Sequence, residues 1–272
     1  MYLGIDIGGT KTLVATLNSD GVILEKIKFH TPENYSDFIE ELAACVDKLS
    51  TKKFVACGVA LPGHLDRKNG IGTVMGNLPW KNVYVEDDVK KLLDCPVVIE
   101  NDAKLAGLSE AMLLKDTYSR VVYITVSTGI GVGAIIDQKI DPFLMNAEAG
   151  KMPLEHGGKM VAWESFASGK AIVERYGKMA SQITDRSTWK HIAHDLAIGL
   201  IDVIAIIQPE VIVVGGSVAS YFEKFGDLLE EELKRYEVPL VPIPTIMPAA
   251  RPEEAVVYGC YDLAKSEYGT TS

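Results

Sequence analysis

The sequence lacks the features that mark several specialised classes of protein. Its four cysteines are widely separated and form no CxxC pair, which excludes a disulfide framework and a clustered zinc site and predicts buried or partly buried free thiols. It has no apolar run of about 18 residues and no secretory signal. The net charge is -10 without a basic block, which argues against non-specific binding of nucleic acid. We therefore expect a cytoplasmic protein that binds neither membranes nor nucleic acid.

The composition and the hydrophobic pattern indicate an α/β protein. The chain has 272 residues, of which 47% are hydrophobic, and this is enough to form a substantial core. Apolar strand-like runs alternate with helical segments, and a second pair of strands around a glycine-rich turn begins at Val121. This restart predicts a smaller domain at residues 1–116 and a larger one at residues 117–254. A final helix at about residues 255–272 is expected to pack back on the smaller domain.

Two glycine-rich turns give the first chemical signal. The first lies in DIGGTKT, which runs from Asp6 to Thr12, and the second in STGIG at residues 127–131. Glycine permits backbone conformations that expose amide N–H groups, and threonine hydroxyls add donors, so each turn could bind a phosphate group. Asp6 is placed where it could hold a hydrated Mg²⁺. An ordinary glycine hairpin explains either turn equally well when that turn is considered alone.

The Asn101–Asp102 pair is a second candidate, because it directly precedes a helix predicted from Ala103 to Leu114. Asp102 could accept the proton of a hydroxyl group that attacks phosphorus. Asn and Asp are also favoured at helix N-caps, and from the residue types alone capping is the simpler interpretation. The two roles are compatible, since a helix N-terminus would keep the carboxylate ionised.

Six motifs follow one another along the chain. They are DIGGTKT, LPGHLD from Leu61, NLPW from Asn77, ENDAKLAGLSE from Glu100, VSTGIGVGAI from Val126 and QPEVIVVGGSV from Gln208. Taken in this order, they resemble the motifs of the ROK (repressor, open reading frame, kinase) family, which belongs to the superfamily of sugar kinases, actin and Hsp70-like ATPases. The resemblance implies a two-domain, actin-like ATPase fold of the ribonuclease H-like class, in a protein that binds ATP, Mg²⁺ and a sugar and forms a homodimer.

The resemblance implies a role for individual residues of these motifs. It implies that Asp102 is the general base. It also implies that Asp6 binds Mg²⁺ through a water molecule. The residues implied for ATP are Asp6, Gly8, Gly9, Thr10, Lys11, Thr12, Thr128, Gly129, Gly131, Gly215 and Gly216. The residues implied for the sugar are Gly63, Asn77, Asn101, Glu148, Lys151 and Glu164.

Residues 146–169, which we call the sugar-side segment, depart from the family pattern. Relatives carry ExGH followed by three cysteines, and the histidine and cysteines bind a structural zinc. Here Lys151 ends the first motif, and Met160 to Trp163 replace the cysteines. Apolar residues can replace a metal-held core by packing, so no structural zinc is expected. Lys151 is expected to pair with Glu148 or Glu164 or to donate to the sugar.

His156, in the same segment, has two interpretations. It could take the place of the missing motif histidine, but a solvent-exposed loop residue beside Gly157 is the simpler interpretation.

Three functions are compatible with these residues. The first is ATP-dependent phosphorylation of a hexose, expected at the 6-hydroxyl of glucose or a related hexose. Fructose or an N-acetylhexosamine is the alternative substrate, and polyphosphate is the alternative donor. The second is a sugar-responsive regulator, which is disfavoured because Met1 and Tyr2 lead directly into the first strand. The third is a non-catalytic binder of sugar or nucleotide, against which the intact Asp102 argues.

Overall fold

The protein forms two compact units in a computed structural model that describes residues 1–251 and 253–269. The first unit contains residues 1–109 and the C-terminal segment from residue 253, and the second unit begins at residue 110. Residues 270–272, the end of the predicted final helix, lie outside the described residues. All four cysteines are buried free thiols, which confirms that prediction.

The first unit contains a five-stranded mixed sheet and a three-stranded antiparallel sheet. The elements in chain order are β1 (Tyr2–Ile7), β2 (Lys11–Leu17), β3 (Ile23–His30), α1 (Tyr35–Lys48), β4 (Ala56–Leu61), β5 (Gly63–Asp66), β6 (Ile71–Met75), β7 (Lys81–Val83), α2 (Val85–Leu93), β8 (Val97–Asn101) and α3 (Asp102–Leu113). The strand order of the larger sheet is β3-β2-β1-β4-β8, and that of the smaller sheet is β5-β6-β7.

The apolar pattern explains the order of the strands in the larger sheet. Every residue of β4 is buried, as expected for a central strand that is covered on both faces. In β3 partly buried and exposed residues alternate, which is typical of an edge strand. Asp6 is the one residue of β1 that is not fully buried, and it is also the strand's charged residue. A carboxylate within an otherwise apolar central strand indicates a chemical role.

The second unit has its own five-stranded sheet. Its elements are β9 (Arg120–Val126), β10 (Ile130–Ile136), β11 (Lys139–Ile140), β12 (Pro153–His156), β13 (Lys159–Ala162), α4 (Glu164–Ala167), α5 (Gly169–Tyr176), α6 (Arg186–Ile207), β14 (Val211–Gly215), α7 (Phe222–Lys234) and β15 (Thr245–Pro248). The strand order is β11-β10-β9-β14-β15, and β12 and β13 form a separate hairpin. The long helix α6 contributes ten buried residues to this unit.

The final helix, α8 (Ala255–Tyr268), packs on the larger sheet of the first unit through closely approaching backbones. A Cβ atom at Gly58 of β4 would lie 2.2 Å from the Cys260 carbonyl oxygen. A Cβ atom at Gly259 would lie 2.0 Å from the Leu105 carbonyl oxygen of α3. The glycines therefore allow α8 to approach both the sheet and α3. Over the described ranges, no helix combines the length and the apolar character needed to cross a membrane.

Candidate active site

The first glycine-rich turn connects β1 and β2 and is fixed by hydrogen bonds. The Gly8 amide donates to the Lys11 carbonyl oxygen at 3.0 Å. The Thr31 hydroxyl donates to the Gly8 carbonyl oxygen at 2.8 Å. Thr10 and Lys11 are exposed at the tip, where a ligand could reach them.

Thr12 does not present its hydroxyl group to a ligand, contrary to the predicted phosphate contact. Its side chain is fully buried, and its Oγ1 atom lies 2.9 Å from the Oγ1 atom of Thr31. Since Thr31 donates to Gly8, the Thr12 hydroxyl supports the turn from inside. Sequence reasoning missed Thr31, because this residue follows β3 and belongs to no motif.

Predicted sugar-binding residues lie in contact with other predicted site residues of the first unit. A Cβ atom at Gly9 would lie 2.6 Å from the Asn77 Cβ atom, so the phosphate turn touches Asn77. The Asn101 side-chain amide donates to the Gly63 carbonyl oxygen at 3.2 Å. Gly63 has a φ of 121°, and a Cβ atom there would lie 2.1 Å from the Val74 carbonyl oxygen. Glycine is therefore required at position 63.

Asn101, and not Asp102, has the capping role at the start of α3. Its Oδ1 atom accepts hydrogen bonds from the Ala103 amide at 3.0 Å and the Lys104 amide at 3.3 Å. These are the bonds expected of an N-cap side chain. Asp102 is the first residue of α3, one position earlier than the predicted start, and its Oδ1 atom accepts from Ala103 at 2.8 Å. It lies where the helix dipole favours a negative charge.

The carboxylates of Asp6 and Asp102 influence each other. Burial, followed by the negative charge of Asp102, raises the pKa of Asp6 to about 7, and the charge of Lys28 acts in the opposite direction. A cation bound at Asp6 would relieve this repulsion and keep the carboxylate ionised. The pair therefore has the electrostatic character expected of a site that receives a positive ion.

A partly buried ion pair between Arg67 and Glu100 fixes the end of β8, directly before Asp102. The Arg67 guanidinium donates to the Glu100 carboxylate with distances of 2.6 and 2.5 Å. Glu100 also accepts from the Asn101 amide. Neither Arg67 nor Glu100 was predicted to have a role, because their pairing across the chain is invisible in the sequence.

The second glycine-rich turn connects β9 and β10 in the second unit. The Ser127 amide donates to the Gly129 carbonyl oxygen at 3.0 Å, and the Gly169 amide of α5 donates to the Ser127 carbonyl oxygen at 2.7 Å. Thr128 is exposed at the tip. Thr128 and Gly129 thus belong to the turn itself, whereas Gly131 lies within β10, paired with Thr125.

Glu164, the first residue of α4, joins the sugar-side segment to this turn. Its Oε2 atom accepts from the Ile130 amide at 3.3 Å. A Cβ atom at Gly129 would lie 2.8 Å from this oxygen, and one at Gly150 would lie 3.0 Å from it. The other oxygen, Oε1, accepts from the Lys151 ammonium group. Lys151 therefore pairs with Glu164, which is one of the alternatives that the sequence left open.

The other two polar residues of the segment have different surroundings. Glu148 is exposed, and its carbonyl oxygen accepts from the Lys151 amide at 2.9 Å. His156 is half-buried and stacks on Phe166, with ring centroids 4.2 Å apart, and its Nε2 atom lies 3.5 Å from Asp195 Oδ1. The interpretation of His156 as a solvent-exposed loop residue is wrong, because α4 and α6 supply partners that cover it.

A cavity of about 430 Å³ opens beside the second turn. Its walls combine apolar side chains with hydroxyl groups and one ammonium group, a mixture suited to a small organic ligand. Gly215 and Gly216 pack against β9, and Ser217, which follows them, lines the cavity. The main lining residues are Thr128, Lys170, Val173, Met179, Ser217 and Tyr221.

Comparison with known proteins assigns the family. Residues 2–267 match the family model described as ROK family. The chain belongs to the ROK family. A glucokinase of Streptomyces coelicolor is 27% identical to this ROK protein over 310 residues, which cover 97% of this chain and 98% of the relative. A fructokinase of Zymomonas mobilis is 33% identical over 244 residues, which cover 80% of each chain.

A solved structure of another ROK protein confirms the predicted fold. The crystal structure of a ROK family glucokinase from Streptomyces griseus, in complex with glucose and AMPPNP, has a TM-score of 0.80 and 25% sequence identity to this chain. The match covers 97% of this chain and 99% of that chain. The α/β, actin-like ATPase fold is therefore established for this ROK protein.

The side chains of this ROK protein fit magnesium at Asp6. Within residues 1–251 and 253–269, no three His, Cys, Asp or Glu side chains cluster in a way that could hold a metal ion. Magnesium does not need such a cluster, because it commonly uses one or two carboxylates and completes its shell with water and phosphate oxygens. At the positions of the family's cysteines, the Trp163 side chain is buried and its indole N–H donates to the Asp195 carbonyl oxygen at 3.1 Å. The absence of zinc stays a prediction.

Proposed function

We propose that the protein transfers the γ-phosphoryl group of ATP to a hydroxyl group of a hexose, with Asp102 as the general base. The observation that carries this proposal is the start of α3, where Asn101 caps the helix and Asp102 lies near the half-buried Asp6 carboxylate. Because Asn101 accepts from both the Ala103 and the Lys104 amides, the cap does not depend on Asp102, which supports a chemical role for this residue. Membership of the ROK family and the similarity to a glucokinase and a fructokinase support the proposal.

The proposed nucleotide site uses the cavity beside Thr128 for adenosine, with Gly215 and Gly216 behind its wall. Each turn is proposed to bind phosphate through its backbone amides and hydroxyl groups, and Lys11 adds a positive charge to the first turn. ATP is the proposed donor, and the AMPPNP bound by the Streptomyces griseus glucokinase supports this choice. The residues proposed for the phosphates are Gly8, Gly9, Thr10, Lys11, Thr128 and Gly129.

Asp6 is proposed to hold Mg²⁺ through water. When bound, the ion neutralises negative charge on the phosphates during transfer. Because the pKa of Asp6 is raised to about 7, a proton competes with the ion for this carboxylate near neutral pH. The nearby Asp102 charge favours the cation over the neutral carboxyl group.

The chemistry proposed for Asp102 is proton transfer. A sugar hydroxyl group ionises far above pH 7, so it attacks phosphorus efficiently only if a base accepts its proton as the new bond forms. The Asp102 backbone is held by α3, and the preceding Asn101 is fixed by Gly63 and by two helix amides. This rigidity would keep the carboxylate in one position, which general base catalysis requires.

The proposed sugar is glucose or a related hexose, phosphorylated at its 6-hydroxyl group. The relatives include both a glucokinase and a fructokinase, so the family alone does not choose between these sugars. Lys151 pairs with Glu164 and supplies an ammonium group that can donate to a sugar hydroxyl. The residues proposed for the sugar are Gly63, Asn77, Asn101, Glu148, Lys151 and Glu164.

The test is ADP release with ATP and Mg²⁺ across a panel of hexoses and N-acetylhexosamines. Glucose or a related hexose is expected to stimulate ADP release well above the rate without sugar. Replacement of ATP by polyphosphate, with detection of the sugar phosphate, tests the donor. If no sugar stimulates phosphoryl transfer from either donor, the proposed function is incorrect.

A further inference from the structure

The hairpin of the sugar-side segment needs support from outside its own strands. β12 and β13 contain four residues each and form a sheet of two strands. An isolated two-stranded hairpin is marginally stable at best in water. Its turn residues, Gly157 and Gly158, are exposed. Contacts with the rest of the second unit must therefore fix the hairpin and Glu164, which follows it.

One group of side chains supplies such contacts, and we call it the Asp195 cluster (His156, Arg175 and Asp195). Asp195 lies on α6, Arg175 on α5 and His156 at the end of β12. The Oδ2 atom of Asp195 accepts from the Arg175 guanidinium, and its Oδ1 atom lies 3.5 Å from His156 Nε2. The Asp195 side chain is only 7% exposed. The Asp195 carboxylate is therefore shielded from water, although its two partners are each about one third exposed. Electrostatic attraction is stronger at such a site than in bulk water.

The backbone of Asp195 also holds Trp163, the residue that follows the hairpin. The Trp163 indole N–H donates to the Asp195 carbonyl oxygen at 3.1 Å. The His156 ring stacks on Phe166 of α4. Trp163 directly precedes Glu164, and Phe166 lies two positions after it. Both ends of the hairpin, and the helical turn that carries Glu164, are thus attached to Asp195 or to its partner His156.

We propose that Asp195 is a positioning residue for the sugar site. Its carboxylate contacts His156 and Arg175, and its backbone carbonyl oxygen accepts from Trp163. Together these contacts fix the hairpin and the start of α4 and thereby hold the Glu164 carboxylate in place for the sugar, and Asp195→Asn removes only those of the carboxylate. This inference rests on the proposed function, because it assigns Glu164 to sugar binding. Loss of the Asp195 charge therefore weakens sugar binding more than nucleotide binding.

A second group also joins a carboxylate to a histidine and an arginine, and we call it the Glu232 cluster (His194, Glu232 and Arg235). It provides a matched control. Glu232 of α7 has its Oε2 atom 3.3 Å from His194 Nδ1 and its Oε1 atom 3.0 Å from Arg235 Nη1. Its side chain is 5% exposed, close to the value for Asp195. The His194 contact joins α6 to α7, whereas the Arg235 contact is local to the end of α7. Glu232→Gln thus removes an equally buried negative charge from a different part of the unit.

The experiment compares Asp195→Asn with Glu232→Gln in the full-length enzyme by steady-state kinetics and amide hydrogen exchange. Asp195→Asn is expected to raise the KM for the sugar about tenfold, because a charge-assisted contact is lost, while the KM for ATP changes less. It is also expected to increase amide exchange at residues 153–167. Glu232→Gln is expected to lower the Tm but to leave both KM values and this exchange unchanged.

Two variants of His156 keep the inference testable if Asp195→Asn does not fold. Gln at position 156 retains an N–H donor for Asp195, whereas Ala removes it. His156→Ala is therefore expected to raise the KM for the sugar, and His156→Gln is expected to restore most of the loss. Equal KM values for these two variants would overturn the role of the His156–Asp195 contact.

The remaining outcomes separate this inference from the proposed function. A sugar KM that is unchanged in Asp195→Asn, or equally raised in Glu232→Gln, overturns the inference. If the wild-type protein phosphorylates no sugar, the proposed function fails, and hydrogen exchange then decides only whether Asp195 fixes the hairpin and the start of α4. Greater exchange at residues 153–167 in Asp195→Asn than in Glu232→Gln supports positioning by Asp195, and equal exchange overturns it.

Discussion

Lys151 supplies a positive charge beside Glu164 in the sugar-side segment. Its ammonium group pairs with one oxygen of Glu164, while the other oxygen accepts from the Ile130 amide beside the second glycine-rich turn. A single carboxylate thus connects Lys151 to the turn that is proposed to bind phosphate. Because the Lys151 side chain is 66% exposed, it can keep this ion pair and still reach a bound sugar.

Lys151→Met tests the role of this charge. The KM for the sugar is expected to rise about tenfold, since a charged hydrogen-bond donor is lost, and the KM for ATP is expected to stay unchanged. The free energy of unfolding should change by less than about 1 kcal/mol, because exposed ion pairs stabilise proteins weakly. Steady-state kinetics and urea unfolding give both values.

Lys234→Met is the matched control for this substitution. Lys234 pairs with Glu230 on α7, and its side chain is 63% exposed. This substitution is expected to leave both KM values unchanged. An unaltered sugar KM in Lys151→Met would remove Lys151 from the proposed sugar site.

At individual residues, the sequence named candidates but could not predict their surroundings. It named Asp102 as the candidate base but could not assign the cap, because Asn and Asp are both good caps and only coordinates show that Asn101 binds the helix amides. It placed Thr12 in the phosphate site, although the hydroxyl group bonds to Thr31 inside the fold. It also treated His156 as exposed, because the partners of this histidine lie on helices that come later in the chain.

At the scale of elements, the packing of α8 depends on glycine. Gly259→Ala would place a Cβ atom 2.0 Å from the Leu105 carbonyl oxygen, and this backbone clash cannot be relieved by a side-chain rotation. The substitution is expected to destabilise the protein by about 1–3 kcal/mol. Gly76→Ala is the control, because a Cβ atom there meets nothing within 4 Å. Equal urea midpoints for the two variants would contradict the close approach of α8 to α3.

The start of β9 is stabilised by the carboxylate of Glu210. Hydrogen bonds from the backbone amides of Arg120 and Ser119 lower the pKa of Glu210 below its ordinary value. A carboxyl group with a lowered pKa in the folded state stabilises the fold above its unfolded pKa of about 4.3. This contribution is lost as the pH falls through the folded pKa.

Glu210→Gln is therefore expected to be less stable than the wild type at pH 7, and the difference is expected to shrink as the pH falls below about 4. Urea midpoints of both proteins between pH 7 and pH 3 measure this difference. A difference that is constant over the range would show that the ionised carboxylate is not what stabilises the start of β9.

The local apolar pattern predicted the long strands of the two five-stranded sheets but not the short strands of the β12–β13 hairpin. The apolar runs of β1, β4, β9 and β14 are long enough to identify without a structure. The hairpin of β12 and β13 has only four residues in each strand, and its stability comes from contacts with α6. Contacts of this kind join residues that are distant in sequence, so periodicity cannot reveal them.

At the scale of the whole molecule, the order of the motifs was more informative than any single motif. Each glycine-rich turn alone is compatible with an ordinary hairpin, but six motifs in family order predicted the ROK family and the actin-like ATPase fold, and both are confirmed. The identity of the sugar is not encoded in this order. We propose that it depends on side chains such as Lys151, where the sequence departs from the family pattern.

The central claim is that Asp102 is the general base of a sugar kinase. Asp102→Asn tests this claim, and Asp185→Asn is its matched control. Asp185 lies at the N-terminus of α6, where it accepts from the Thr188 amide. This control is expected to retain wild-type turnover.

The most direct test is the kcat of Asp102→Asn with ATP, Mg²⁺ and the best sugar of the panel. Asn keeps the shape of the side chain but cannot accept the proton, so kcat is expected to fall by about 100- to 10,000-fold while the KM for ATP stays unchanged. Nearly full turnover by a folded Asp102→Asn variant would contradict the account.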